Sequence, residues 1–239
     1  MKRTTQLIAL LPAVCLLQAC GIVPQTPASS DMTVVFDRTD SIRNCPDAQT
    51  LLSPFDLERD RFQGLHIVLT TASDVDVNGR TVIDLKPQNE LTSNIVDREK
   101  DISRFATQIQ QALDSIRREP PCGHSIVYRA VAREANALAS SSSTNKYLLV
   151  YSDLLEANGE VSFYRAGQLR EIRRHPDTVS QLLESGLPLQ PLAGMQVFLL
   201  YEPRSFADNG AFMPVAAMYR RMLERHGATV HVAAQFSRP

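Results

Sequence analysis

The stretch TVVFDRTDSI (33–42) runs apolar residues into a carboxylate and two hydroxyls, with Asp37, Thr39 and Ser41 at two-residue intervals. Oxygen donors so placed at the end of a strand can hold a cation, take part in a hydrolysis or cap a following helix. A second carboxylate, Asp153, closes YLLVYSD (147–153), and Ser125 opens a helical pattern within PPCGHSIVYRA. In an open α/β sheet, ligands collect beyond the carboxyl ends of the strands. That rule would gather Asp37, Thr39, Ser41, Ser125 and Asp153 at one edge. Two carboxylates with several hydroxyls suit a hard cation such as Mg²⁺ or Mn²⁺. The competing use is local: Thr39 or Ser41 as a helix N-cap, and Asp153 as the cap of LLEAN.

Strand-like runs recur at wide spacing to position these residues: MTVVF (32–36), LHIVLTTA (65–72), YLLVYS (147–152), MQVFLLY (195–201) and TVHVAA (229–234). Their near-continuous apolar character is that of strands covered on both faces. RTVIDL (80–85) and EVSFYR (160–165) each follow an Asn-Gly pair and read as peripheral hairpin strands. Between them, Ile102, Phe105, Ile109, Leu113 and Ile116 step by three or four residues along one helical stripe. Val127, Val131 and Leu138 do the same, PDTVSQLL buries Val179 and Leu182, and Val215, Tyr219 and Met222 mark a last helix ending before Gly227. Alternation of this kind predicts a three-layer, Rossmann-like α/β domain with a mostly parallel central sheet, over residues 32–239.

The order of these pieces resembles the von Willebrand factor A (vWA) domain. That family binds a divalent cation through Asp-x-Ser-x-Ser after the first strand, a threonine in a middle loop and an aspartate after the fourth strand, often in Ser-Asp-Gly. The resemblance implies that Asp37, Thr39, Ser41, Ser125 and Asp153 hold Mg²⁺ or Mn²⁺. It also implies that a protein partner completes the shell with an acidic residue. Thr39 stands for the first serine, Ser125 for the threonine, and Leu154 where glycine is common. A vWA-like domain with a degenerate, metal-free site, serving as a structural accessory subunit of an envelope complex, is the alternative.

The beginning MKRTTQLIALLPAVCLLQAC has a positive start, a short apolar run and small residues before Cys20, the layout of an export signal. LQAC followed by Gly21 resembles the lipobox of bacterial lipoproteins. It implies a signal peptide over 1–19, lipidation of Cys20, and a tether over 20–31 rich in Pro, Ser, Thr and Gln. The absence of aspartate at position 21 points by the same family rule to the outer membrane, facing the periplasm. Cys45 and Cys122 remain as an even pair in an oxidising compartment, where a disulfide is expected and two separate thiols are the alternative.

Twenty-five basic residues against 26 acidic ones give a net charge of -1, with no basic tail, so nucleic acid is excluded as a partner class. Enzyme classes fare no better. A haloacid-dehalogenase-like phosphatase needs a second aspartate where Thr39 stands, and neither Gly-x-Ser-x-Gly nor a glycine-rich phosphate loop occurs. The expectation is a non-catalytic domain that holds an envelope or secreted protein.

Overall fold

A computed structural model describes residues 29–39, 45–74, 78–124, 126–157 and 161–237. Strands β1 (Ser29–Asp37), β2 (Gly64–Ala72), β3 (Arg80–Leu85), β4 (Asn145–Tyr151), β5 (Met195–Leu200) and β6 (Thr229–Ala233) form one six-stranded sheet in the order β3-β2-β1-β4-β5-β6. All neighbours are parallel except the edge pair β2–β3. The first strand therefore lies near the middle, and the chain winds outward from it to both sides. This is a Rossmann-like α/β domain with a mostly parallel central sheet, as the strand and helix periods predict.

Alternate residues of each central strand feed two separate cores, as the two-residue period of a strand requires. Met32, Val34 and Phe36 join Ile67, Leu69, Leu149 and Phe198 beneath α1 (Ala48–Leu52) and α2 (Ile95–Arg118). Val35, Leu148, Val150, Val197 and Leu199 pack on the other face. There they meet α3 (Val127–Ala139), α4 (Ala166–Arg174), α5 (Pro176–Gly186) and α6 (Phe206–Arg225). The stripe Phe105, Ile109, Leu113 and Ile116 is buried as its spacing predicts, with Ile102 partly so.

Three local expectations need correction. In α5 it is Leu183 that is buried, while Leu182 faces solvent. EVSFYR forms no strand of the sheet; its described part contributes the single bridge Ala157–Ser162. The described part of LLEAN, residues 154–157, forms no helix for Asp153 to cap.

Two polar anchors stand out. Arg98 on α2 is 1% exposed, and its guanidinium donates to the carbonyls of Arg61, Gln63 and Lys86 at 2.6, 2.6 and 2.8 Å. It fastens the start of α2 to the segments that flank β2 and β3. Glu156 is equally buried and accepts from the backbone N–H of Tyr128, in the first turn of α3, at 2.9 Å. A carboxylate there satisfies an orphan donor and complements the helix dipole.

Candidate functional site at the carboxyl edge

Asp37 is the last residue of β1 and is buried. Its Oδ1 accepts from the Thr39 backbone N–H at 2.9 Å and from Thr39 Oγ1 at 2.7 Å. The Asp-x-Thr segment thus turns back on its own carboxylate, as aspartate does in an Asx-turn. Oδ2 accepts from Ser152 Oγ at 2.6 Å, which joins the end of β1 to the end of β4. Thr39 spends its hydroxyl proton on Asp37, and the residues that it could cap lie outside the described ones. The cap of α1 is Asp47, which accepts from Thr50 N–H at 2.7 Å.

Asp153 follows directly in a tight turn. Ser152 Oγ accepts from Leu154 N–H at 2.8 Å, Asp153 Oδ1 accepts from Leu155 N–H at 2.9 Å, and the Tyr164 hydroxyl lies 3.4 Å from Oδ2. Leu154 has φ of 60°, the left-handed region that favours glycine. The backbone there takes a form that glycine adopts more readily, with a leucine in its place. Complete burial of that side chain in the core offsets the strain.

The loop that leads to Ser125 belongs to the same edge. Cys122 N–H donates to Arg38 O at 2.8 Å, Ile126 N–H to Ser73 O at 2.9 Å, and Arg38 N–H to Ala72 O at 3.0 Å. Arg38 also pairs with Glu119 at 3.1 Å. The structure thus joins Asp37 to Thr39 and to Ser152, and Asp153 follows Ser152 directly in the chain with its carboxylate bonded in its own turn. Ser41, Ser125 and Cys20 lie outside the described residues. Cys45 and Cys122, expected as a disulfide, are both free thiols in this structure. Burial pushes the Cys45 thiol up to about 11 against the pull of Arg117, which keeps it protonated and slow to exchange.

The donor set fits a hard cation in kind. Thr39 donates its proton to Asp37, which leaves lone pairs on Oγ1 to face an ion. Among the described residues no group of three or more His, Cys, Asp or Glu gathers into a metal cluster, so any cation here would depend on hydroxyls and two carboxylates.

Beside Asp153 opens a cleft of about 270 Å³ that the sequence did not signal. Leu155, Phe163, Leu169 and Tyr201 supply apolar walls, and Tyr164, Arg204 and Asp208 line it with polar groups. Tyr164 is half exposed, and Phe206, next to the lining residue Ala207, is 93% exposed. Beneath the site, Tyr219 is fully buried and its hydroxyl has no hydrogen-bond partner among the described residues. Burial, and then the neighbouring Glu156, Tyr128 and Asp37, hold that phenol well above its usual range. Hydrogen-bonding histidines meet Asp84, Glu184 and Gln196, and none of these pairs supplies a nucleophile with a base.

No family profile matches the chain, and no curated protein is similar to it in sequence. Solved structures similar to it include a D319A mutant of the PilB minor pilin from Streptococcus sanguinis. That pair is 11% identical, covers 87% of this chain and 57% of the pilin, and has a TM-score of 0.48. The vWF domain of the type V pili tip protein Mfa5 from Porphyromonas gingivalis is 12% identical over 86% of this chain and 80% of that one, with a TM-score of 0.35. The human COPII-coat protein Sec24c is 11% identical over 88% of this chain and 31% of its own, with a TM-score of 0.38. The chain thus spans less than two thirds of the length of the minor pilin and of the coat protein. The fold itself rests on the strand order and register described above.

Proposed function

We propose that this chain is a bacterial envelope lipoprotein, anchored through Cys20, whose vWA-type domain holds a protein partner at the carboxyl edge of its sheet. The partner is an envelope or secreted protein, and the anchor places the domain on the outer membrane facing the periplasm. Binding, not catalysis, is the role. Among the described residues no helix is long and apolar enough to cross a membrane. The observation that carries the reading is the cleft beside Asp153, which sets apolar walls next to Asp153, Arg204 and Asp208, with the exposed Tyr164 in its lining and the exposed Phe206 next to Ala207. An exposed tyrosine and an arginine beside apolar walls are side chains enriched in protein-binding hot spots.

The metal-free form of this reading comes first. Both oxygens of Asp37 already accept internal hydrogen bonds, and Asp153 accepts from Leu155 N–H, so the edge is preorganised without an ion. The donor geometry of Thr39 supports a second form, in which Asp37, Thr39, Ser41, Ser125 and Asp153 hold Mg²⁺ or Mn²⁺ and a partner carboxylate completes the shell.

Pull-downs from detergent-solubilised envelopes, in Mg²⁺ and in EDTA, separate the two. The metal-free form predicts a partner kept in EDTA and lost with Tyr164→Ala. The cation form predicts loss with EDTA and with Asp153→Ala. A partner retained in every arm, by variants with native circular dichroism, would overturn both.

A further inference from the structure

Resting on the lipid-anchored reading, we infer that the opposite edge of the sheet is a membrane-docking face, with Leu91, Ile95 and Val96 seated among the headgroups of a zwitterionic bilayer. Among the described residues these three are the largest group of exposed apolar side chains close together in sequence, at 85%, 51% and 58% exposure. Their position in the fold makes this more than an exposed patch. β1 starts at Ser29, nine positions after Cys20, and nine residues reach at most about 32 Å even when fully extended. The amino edge of the sheet is therefore the edge that a lipid on Cys20 would hold close to the membrane.

The 86–98 segment is fixed to that same edge. Ser29 pairs with Gly64, and Leu65 pairs with Leu85, so the end of β3 lies two strand spacings, about 10 Å, from the start of β1. A Cβ on Gly64 would come within 2.7 Å of Pro87, so the chain leaving β3 presses on the start of β2. Arg98 then clamps the first turn of α2 to the carbonyls of Arg61, Gln63 and Lys86. Leu91, Ile95 and Val96 are thus presented from a rigid support.

Charge selects the kind of surface. Asp97 pairs with Lys100 at 3.2 Å and Glu99 with Arg61 at 3.3 Å, while Lys86 and Glu90 flank the patch with opposite signs. A balanced rim has no preference for anionic lipid, and the apolar trio supplies the attraction. Three such residues bind weakly alone. On a tethered chain the contact is intramolecular, and its effective concentration makes the docked orientation the populated one. Docking there turns the carboxyl edge, about 30 Å farther along β1, toward the periplasm and its partner.

The test uses the full chain, made as a lipoprotein and reconstituted into phosphatidylethanolamine–phosphatidylcholine vesicles. A diazirine-bearing leucine analogue replaces Leu91, Ile95, Val96 or, as the opposite-edge control, Phe206. Intact mass first reports the lipid on Cys20; a chain without it refutes the anchor and this orientation together. With the lipid present, irradiation should give phospholipid adducts at 91 and 95 and none above background at 206. With the analogue at 96, adducts should be lost in the Leu91→Asn, Ile95→Asn double variant. Equal labelling at both edges, no lipid adduct at 91, or adducts there to a second copy or another protein would overturn the inference.

Discussion

Position 154 should cancel an ordinary rule of protein stability. At a buried position with normal backbone, glycine is worse than alanine on two counts. It frees the unfolded chain, at about 0.4–1 kcal/mol, and it removes a buried methyl, at about 0.8 kcal/mol. The usual gap is therefore on the order of 1.5 kcal/mol. Leu154 sits at φ 60°, where a Cβ is strained by roughly 1–2 kcal/mol that glycine does not suffer. Both Leu154→Ala and Leu154→Gly lose a fully buried leucine, a loss of about 2–5 kcal/mol. The strain then cancels the gap between them, and the two variants should unfold within about 0.5 kcal/mol of each other. Urea titration of both, followed by circular dichroism, gives the comparison. Ala135→Gly, on a buried regular helical residue, should show the ordinary penalty. A Leu154→Gly midpoint lower than that of Leu154→Ala by the full ordinary gap would refute the left-handed turn that aims Asp153.

Tyr219→Phe removes a buried hydroxyl that has no partner among the described residues. It should leave stability unchanged or raise it by about 1 kcal/mol in the same titration. Arg98→Met leaves the carbonyls of Arg61, Gln63 and Lys86 without their donor and should cost about 2–4 kcal/mol, read as a lower melting temperature. Glu134 on α3 is buried with Arg80 at 3.1 Å, in an ion pair too poorly aligned to count as a hydrogen bond. Burial raises its carboxyl above the usual 4.5 despite Arg80 and Arg133, so the folded state holds the proton longer than the unfolded state. Glu134 therefore withdraws stability as pH rises through and beyond 4.5, and Glu134→Gln should lose less between pH 4 and 7 than the parent chain. Alkylation should reach both Cys45 and Cys122 in denaturant and Cys45 only slowly in the folded chain; a denatured, unreduced chain that takes no label would show the bridge instead.

The central strands were legible because burial on both faces leaves them almost wholly apolar, and that signal needs no tertiary context. The long stripe of α2 was legible for the same reason. Shorter elements were not. α1 has five residues, and α4 is dominated by charge in AGQLREIRR, with Ile172 alone fully buried. EVSFYR carries strand propensity and an Asn-Gly turn, but its chain wraps the site as the wall of a cleft rather than extending the sheet. At the site, Asp37, Thr39 and Asp153 were readable from their positions at strand ends. Ser152 was visible only as the neighbour of Asp153, because its bond to Asp37 spans 115 positions in sequence. The cleft draws on residues from 153 to 211, and no local pattern encodes such a surface.

Crosslinking in living cells tests the binding face most directly. A photoreactive residue would replace Tyr164 or Phe206 at the carboxyl edge, or Leu182 or Val82, which are exposed elsewhere on the domain. Recognition at the carboxyl edge predicts one protein adduct of the same partner mass from 164 and 206, and none from 182 or 82. The same adduct arising from 182 or 82, with 164 and 206 silent, would contradict it.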